Sequence, residues 1–103
     1  PGEYRAYSAA EVAQATDKKR VVFFHAPWCP QCRALESSIQ AGTIPSGVVI
    51  YKEDYDSNQP LRREYGVTLQ TTLVLLDANG DVAKRYVAYD SPTLAAVTQN
   101  LLQ

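Results

Sequence analysis

Continuous apolar runs and one hairpin signal predict the strands of this chain. Val21–Ala26 and Val48–Tyr51 are apolar at nearly every position, as expected of strands that are covered on both faces of a sheet. Thr72–Asp77 and Asp81–Val87 flank a short turn that contains Asn-Gly, the dipeptide most typical of β-hairpins. Residues 1–7 are predicted to form a short edge strand at best.

Capping residues and apolar spacing predict four helices between and after these strands. Ser8 and Glu11 match a capping box, and Leu35 and Ile39 stand four apart, as on the buried stripe of an amphipathic helix. The charged residues 17–20 are predicted to form a solvated turn. The helices are predicted at residues 8–16, 29–41, 57–65 and 91–102.

The order of these elements predicts the fold class. Strands joined by helices pair in parallel, whereas the hairpin adds an antiparallel pair. We therefore expect an α/β fold with a mixed central sheet of four to five strands and helices on both faces. At 103 residues, the chain is expected to form a single domain that spans residues 1–103.

Composition excludes several classes of function. Ten basic and eleven acidic residues give a formal net charge of −1, so no basic surface indicates binding to nucleic acid or to an anionic membrane. The apolar runs are too short to span a bilayer. The chain begins at Pro1 with no visible targeting segment, and we expect that such a segment was removed.

The candidate chemistry lies where the first buried strand meets the second helix. Cys29 and Cys32 are the only cysteines, and they are spaced Cys-x-x-Cys at the predicted helix start. Unpaired N–H groups and the helix dipole favour a thiolate there, and the thiolate is the attacking species in disulfide exchange. Cys29 is therefore predicted to be the nucleophile, with a lower thiol pKa and greater exposure than Cys32.

The same two cysteines can be read as an inert disulfide or as half of a metal site. A structural zinc site needs four ligands, and His25 is the only further soft candidate in the chain. The position of the motif between a strand and a helix favours redox chemistry over both alternatives. No metal site and no organic cofactor are expected.

The motif Trp28-Cys29-Pro30-Gln31-Cys32, placed after a buried strand, resembles that of the thioredoxin superfamily. The likeness runs from about Val21 to Leu102, and it includes Lys52, Tyr65-Gly66-Val67 and Asn79-Gly80. The resemblance implies a thiol–disulfide oxidoreductase in which the first cysteine attacks and the second resolves. These roles fall on Cys29 and Cys32, with protein thiols or disulfides and an unidentified thiol redox partner as reactants.

Several positions depart from the family pattern. Pro30-Gln31 stands between the cysteines instead of Gly-Pro, and Ala88 replaces a glycine beside the hairpin. Phe23 replaces a buried acid that lies six residues before the first cysteine, so Lys52 is expected to have lost its partner. Thr71 occupies the position of the family's cis-proline.

The replacement of proline by Thr71 carries a conformational prediction. A cis bond before proline costs only about 0.5–1 kcal/mol, but before threonine it costs roughly 2.5–4 kcal/mol. The Gln70–Thr71 bond is therefore predicted to be trans, which gives the loop opposite Cys29 a different path. The Thr71 hydroxyl or N–H group is expected to donate to the Cys29 thiolate and to lower its pKa.

Other residues receive supporting roles. Trp28, Pro30, Gln70 and Thr71 are predicted to contact substrate, and three residues are predicted to tune the cysteines: Phe23, His25 and Lys52. His25 is interpreted as a structural residue rather than a base, and Arg33 as a solvated residue.

Two other functions remain open at this point. One is a peptide-binding module whose disulfide only adds rigidity. The other is a glutathione-dependent enzyme of the glutaredoxin type, which is disfavoured because Gln70-Thr71 replace the Val-Pro of the glutathione clamp. The resemblance favours a monomeric bacterial protein of the cell envelope, with a cytoplasmic location as the alternative.

Overall fold

The computed structural model describes residues 1–103 and contains nine elements in the predicted order. Five are strands: β1 (Glu3–Ala6), β2 (Lys19–His25), β3 (Val48–Asp54), β4 (Thr72–Leu76) and β5 (Val82–Val87). Four are helices: α1 (Ala9–Gln14), α2 (Pro30–Ala41), α3 (Gln59–Tyr65) and α4 (Leu94–Leu101). None of these helices combines the length and the apolar character that crossing a membrane requires.

The strands form one mixed sheet in the order β1-β3-β2-β4-β5. β3 pairs in parallel with both β1 and β2, whereas β4 is antiparallel to β2 and to β5. The predicted fold class is confirmed, with five strands. β2 lies at the centre of the sheet, so the residues that follow it emerge from the middle of the molecule.

Helices cover both faces of the sheet. α2 and α4 pack on one face in a core that includes Cys32, Leu35 and Phe23, whereas α1 and α3 pack on the other. β2 is buried on both faces because its alternate side chains enter the two cores. Phe23 enters the core under α2, and Phe24 enters the core under α3.

The predicted caps and the hairpin turn are present with small shifts. Ser8 Oγ accepts from the Glu11 N–H at 3.3 Å, but the Glu11 carboxylate pairs with Arg5 at 2.7 Å and does not close the capping box. The last helix starts at Leu94 rather than at residue 91, and its N-cap is Thr93, whose Oγ1 accepts from the Ala96 N–H at 3.1 Å.

The Asn-Gly turn joins β4 to β5 as predicted. Asp77 Oδ1 accepts from the N–H groups of Asn79 and Asp81 at 2.9 and 3.0 Å. Gly80 has φ +86°, a left-handed conformation that glycine adopts without steric cost.

The prediction of a solvated turn at residues 17–20 is wrong at its C-terminal end. Lys19 and Arg20 belong to β2, and Arg20 is only 2% exposed. Its guanidinium donates to the carbonyl oxygens of Val12 and Asp77. The arginine is tolerated in the core because it satisfies carbonyls at the end of α1 and at the hairpin turn.

Candidate active site

The junction between β2 and α2 places both cysteines at a helix start. Cys29 is the N-cap of α2, with extended backbone (φ −91°, ψ 115°), and Pro30 follows within the first turn. Proline suits this position because its missing N–H would have no helical partner. Cys29 Sγ accepts from the Cys32 N–H at 3.2 Å, so the sulfur takes the place of an ordinary capping oxygen.

Both cysteines are unbridged and fully buried, with 0% relative exposure. The prediction that Cys29 is more exposed than Cys32 is therefore wrong. Cys29 is covered because Thr71 lies against its sulfur on one side and the Gln31 side chain approaches it to 3.9 Å on another. No group of three or more His, Cys, Asp or Glu side chains that could hold a metal ion occurs in the structure.

Thr71 occupies the loop opposite the cysteines in an unusual backbone conformation. The chain contains no cis peptide bond, and Thr71 is the only residue other than glycine with positive φ, at +63°. The predicted trans bond is confirmed. A β-branched residue in this left-handed region carries strain of order 1–3 kcal/mol.

Two backbone hydrogen bonds hold Thr71 in that conformation. Its N–H donates to the Phe24 carbonyl at 3.2 Å, and its carbonyl accepts from the Ala88 N–H at 2.9 Å. These bonds link the loop to the end of β2 and to the residue after β5. The Thr71 N–H is therefore occupied and does not reach Cys29, so this half of the predicted alternative is wrong.

The Thr71 hydroxyl lies between the two sulfurs. Its Oγ1 is 3.4 Å from Cys29 Sγ and 3.2 Å from Cys32 Sγ. The hydroxyl has one proton, so it can donate to only one sulfur at a time. The expected contact of the hydroxyl with Cys29 is confirmed, and the second contact with Cys32 was not predicted.

The two thiols differ in acidity in the predicted direction. Burial acts to raise the pKa of the Cys29 thiol, but hydrogen bonds from the Thr71 hydroxyl and from Cys32 outweigh it and bring the pKa below its ordinary value. Burial raises the pKa of the Cys32 thiol, and the neighbouring Cys29 raises it further. Cys29 is therefore the better nucleophile near neutral pH.

Large apolar side chains are exposed in the chain segments next to Cys29, Thr71 and Ala88. Trp28 is 57% exposed, and its indole N–H donates to Asp56 Oδ2 at 2.8 Å. Leu69 and Tyr89 are also exposed, at 53% and 45%. Leu69 lies two residues before Thr71, and Tyr89 directly follows Ala88, whose N–H donates to Thr71. Leu69 and Tyr89 were not predicted as site residues, because isolated apolar residues in loops give no sequence signal.

The remaining predicted contact residues lie on the same side of the molecule. Pro30 is exposed at the first position of α2, and Gln70 is half-buried next to Thr71. Arg33 is exposed, as predicted, and its guanidinium donates to the Pro27 carbonyl at 2.8 Å.

Lys52 has an acidic partner, contrary to the sequence-based expectation. Its Nζ lies 2.9 Å from Glu36 Oε2, on α2. The same carboxylate accepts from the Tyr4 hydroxyl at 2.5 Å. Burial acts to raise the pKa of Glu36, but the Tyr4 and Lys52 hydrogen bonds hold it below its ordinary value. The one available sequence signal for Glu36 was its position one helical turn after Cys32.

Phe23 and His25 are residues of β2, and they lie close to Lys52 and to the Glu36 carboxylate respectively. Phe23 is fully buried and stands opposite Lys52 in the parallel register, and its ring packs edge-on against the His25 ring with centroids 5.5 Å apart. His25 Nε2 lies 3.7 Å from Glu36 Oε1 and has no hydrogen-bond partner. Position 23 thus supplies no acid, and the carboxylate that lies next to Lys52 and His25 comes from α2.

Comparisons with known proteins agree with this architecture. The family model described as Thioredoxin matches residues 5–100. The chain is 31% identical to thioredoxin H4 of Arabidopsis thaliana over 86 residues, which cover 82% of this chain and 71% of the relative. It is 35% identical to the mitochondrial thioredoxin of Bos taurus over 85 residues, which cover 80% of this chain and 51% of the relative.

The fold also matches solved structures. The crystal structure of Trxlp from Edwardsiella tarda EIB202 superposes with a TM-score of 0.76 at 25% identity, and the match covers 93% of this chain and 95% of that one. The chain spans about half the length of the mitochondrial relative named above.

Proposed function

The chain belongs to the thioredoxin family and is a protein-disulfide oxidoreductase, and we propose that Cys29 attacks a partner's disulfide and Cys32 resolves the product. In the first step the Cys29 thiolate forms a bond with one partner sulfur, and the partner's S–S bond breaks. In the second step the Cys32 thiolate attacks Cys29 Sγ and displaces the partner as a thiolate. The partner is reduced by two electrons, and the Cys29–Cys32 pair is oxidised to a disulfide.

The observation that carries this proposal is the set of donors around Cys29 Sγ. The Cys32 N–H lies at 3.2 Å and the Thr71 hydroxyl at 3.4 Å. Both donors stabilise negative charge on this sulfur, whereas the pKa of Cys32 is raised mainly by burial. The pKa of Cys29 is lowered and that of Cys32 is raised, and this difference supports a fixed order of attack and resolution.

Trp28, Leu69 and Tyr89 support a protein rather than a small thiol as the partner. They expose large apolar side chains around the loops that carry Cys29, Thr71 and Ala88. Aromatic and aliphatic side chains of this kind are typical contacts in protein interfaces. An extended segment of the partner would lie across them and present its disulfide to Cys29.

The test is reduction of insulin disulfides by dithiothreitol in the presence of the protein. The wild-type protein is expected to accelerate the reaction. Cys29→Ser is expected to abolish both the acceleration and the formation of a mixed disulfide, whereas Cys32→Ser should trap the mixed disulfide. Full turnover by Cys32→Ser would contradict the assigned roles, and no acceleration by the wild-type protein would favour a peptide-binding module.

The contact between Thr71 and Cys29 also supports a direction for the couple. A stabilised Cys29 thiolate favours the reduced form of the pair and shifts the protein towards acting as an oxidant. In that direction the two steps above run in reverse: a partner dithiol is oxidised to a disulfide, and the Cys29–Cys32 disulfide is reduced. Equilibration of the cysteine pair with glutathione buffers measures the potential that decides this. A location in the cell envelope and a monomeric state stay predictions, which cell fractionation and sedimentation would test.

A further inference from the structure

Arg20 carries a positive charge inside the protein without a negative partner. Its side chain is only 2% exposed, and the ion pairs of the structure involve Arg5, His25 and Lys52 instead. A buried charge is costly unless an opposite charge and hydrogen bonds compensate it. Within the chain, neutral groups alone offset the charge of Arg20.

The guanidinium of Arg20 has more donors than the chain has acceptors for them. It carries five N–H groups. Nη1 donates to the Val12 carbonyl at 2.5 Å, and Nη2 donates to the Asp77 carbonyl. Nε is buried and has no hydrogen-bond partner. A buried donor without an acceptor destabilises the fold, so an acceptor from outside the chain would stabilise it.

The nearby carboxylates do not supply this acceptor. The Asp77 carboxylate accepts from two backbone N–H groups of the hairpin turn, at 2.9 and 3.0 Å. Glu64 is close enough to affect the pKa of Tyr65, but it forms no ion pair with Arg20. The chain thus provides Arg20 with two carbonyls and with no carboxylate.

Arg20 lines a surface cavity of about 240 Å³ between α1, α3 and the hairpin turn. The polar side chains of the wall also include Tyr7, Thr16, Tyr65 and Asn79. The volume equals that of about eight water molecules at roughly 30 Å³ each. The cavity therefore has room for a small ion of a few non-hydrogen atoms.

The wall of this cavity suits an anion. It contains no acidic side chain, and Arg20 is its only charged residue. Burial raises the pKa of Tyr7, and it raises the pKa of Tyr65 to about 12, so both hydroxyls stay protonated at neutral pH and able to donate. The planar array of guanidinium N–H groups matches the oxygens of a carboxylate or a phosphate.

We propose that this cavity binds a small oxyanion, a carboxylate or a phosphate, through the N–H groups of Arg20 that the carbonyls leave free. The anion supplies both the negative charge and the acceptor that the chain lacks. Arg20 lies near the start of β2 and His25 ends it, so at about 3.3 Å per residue the two are roughly 16 Å apart. The cysteines follow His25. The site is therefore separate from the cysteines, and its ligand stabilises the fold without entering disulfide exchange.

The Nε–H signal of Arg20 in a proton–nitrogen correlation spectrum tests the proposal directly. The full chain is titrated at pH 7 with inorganic phosphate and, separately, with acetate, while sodium chloride keeps the ionic strength constant. The Arg20 signal should shift and reach saturation with at least one of the two anions, and the tighter one identifies the preferred class. Arg62 is the internal control, because its Nε already donates to the Val67 carbonyl at 3.4 Å and its signal should not follow that curve.

An Arg20 signal that neither anion moves would overturn the proposal. A shift that both arginines share, and that grows linearly without saturation, would overturn it as well, because it would report a general ionic effect. Neither outcome affects the proposed function, which insulin reduction tests independently.

Stability gives a second readout. A ligand that binds only the folded chain lowers the unfolding equilibrium constant by a factor of 1 + [L]/Kd. Phosphate at about ten times its Kd should therefore lower this constant about tenfold relative to chloride in urea unfolding. Arg20→Met removes the donors and should lose this effect, whereas Arg63→Met, at an exposed position of α3, should keep it.

The two variants also separate specific binding from the general stabilising effect of phosphate, which acts on any folded protein. An equal phosphate effect in the wild-type protein and in Arg20→Met would overturn the proposal. If Arg20→Met does not fold, the titration of the Arg20 signal in the wild-type protein decides alone.

Discussion

The two cysteines lie on different sides of one small site. The outer side consists of Trp28, Cys29 and Thr71, and it stabilises charge on sulfur with a backbone N–H and a hydroxyl. The inner side lies around Cys32. It consists of Cys32, of Glu36 one helical turn further along α2, and of His25 and Lys52 on the neighbouring strands, which lie next to the Glu36 carboxylate.

This difference shows how one couple can assign separate tasks to two chemically identical groups. On the outer side, neutral donors lower the pKa of a thiol without adding a charged side chain that a partner would have to desolvate. On the inner side, burial keeps the thiol protonated, and the neighbouring charges are paired. Each of the following changes is directed at one side, although the Thr71 hydroxyl contacts both sulfurs.

Phe23→Asp is expected to have the largest effect, because it places a carboxylate inside the core of the inner side. Removal of a buried phenyl ring costs about 3–5 kcal/mol, and the unsolvated charge adds to that loss. Urea unfolding should show this decrease, whereas Phe23→Leu should show a smaller one. When the reduced protein reacts with 5,5′-dithiobis(2-nitrobenzoate), attack by Cys29 releases one thionitrobenzoate, and resolution by Cys32 releases the second. The new acid beside Lys52 should also speed the second release near neutral pH. An unchanged pH–rate profile would contradict that part.

The outer side could be predicted from sequence to a greater extent than the inner side. Residues 28–32 are contiguous, and the strand, the proline and the helix start that present them are all local signals. Thr71 was recognised because a family pattern marked its position. Its φ of +63° was not predicted, since two backbone bonds from β2 and from Ala88 impose it.

The inner side could be predicted only in part. His25 and Lys52 were predicted to tune the cysteines, but Glu36 was not predicted, because the groups that meet there come from different elements. Tyr4, Glu36 and Lys52 belong to β1, α2 and β3, and hydrophobic periodicity shows which positions are buried but not which polar groups meet there. Lys52 was expected to lack a partner for this reason. Arg20 illustrates the same limit, because its two carbonyl partners lie at the end of α1 and beyond β4.

Thr71→Val tests the outer side with the smallest possible change of shape. Valine keeps the β-branch and removes only the hydroxyl, so the pKa of Cys29 should rise. A rise of one unit would correspond to about 1.4 kcal/mol and to a roughly tenfold smaller thiolate fraction below that pKa. The first thionitrobenzoate release at pH 7 should slow by about this factor, and Thr71→Ser should retain the wild-type rate.

A Thr71→Val variant with an unchanged first release would show that the hydroxyl does not support the nucleophile. The hydroxyl also contacts Cys32 at 3.2 Å, so its loss removes a donor from the inner sulfur as well. The potential of the couple should fall towards that of a reductant, because the reduced form loses the stabilised thiolate.

Gln31→Ala examines the cover over the outer sulfur and should have a smaller effect. The Gln31 side chain lies 3.9 Å from Cys29 Sγ. It is one of the groups that bury this sulfur and limit a partner's access to it. Its removal should increase the first release by a factor of about 2–5, which corresponds to less than 1 kcal/mol. The pKa of Cys29, measured by the pH dependence of alkylation, should stay the same. If the pKa of Cys29 shifted far enough to explain the whole change in rate, Gln31 would act through the acidity of Cys29 and not through access to its sulfur.

The smallest expected effect is on stability, and it isolates His25 on the inner side. The pKa of His25 is lowered in the folded protein by burial and by Lys52, so between that value and its ordinary value near 6.5 the unfolded chain binds more protons. The free energy of unfolding should therefore fall as the pH is lowered below about 6.5, and this contribution should be absent from His25→Gln. Glu36 acts in the same direction at lower pH, because its pKa is also held below the ordinary value.

Urea titrations at a series of pH values separate the contribution of His25 from that of Glu36. The difference in unfolding free energy between wild type and His25→Gln should vary across the histidine range and level off below it. The difference for Glu36→Gln should be largest near neutral pH and should shrink in more acidic solution, where the Glu36 carboxylate becomes protonated. A difference for His25→Gln that is independent of pH would mean that folding does not shift the pKa of His25.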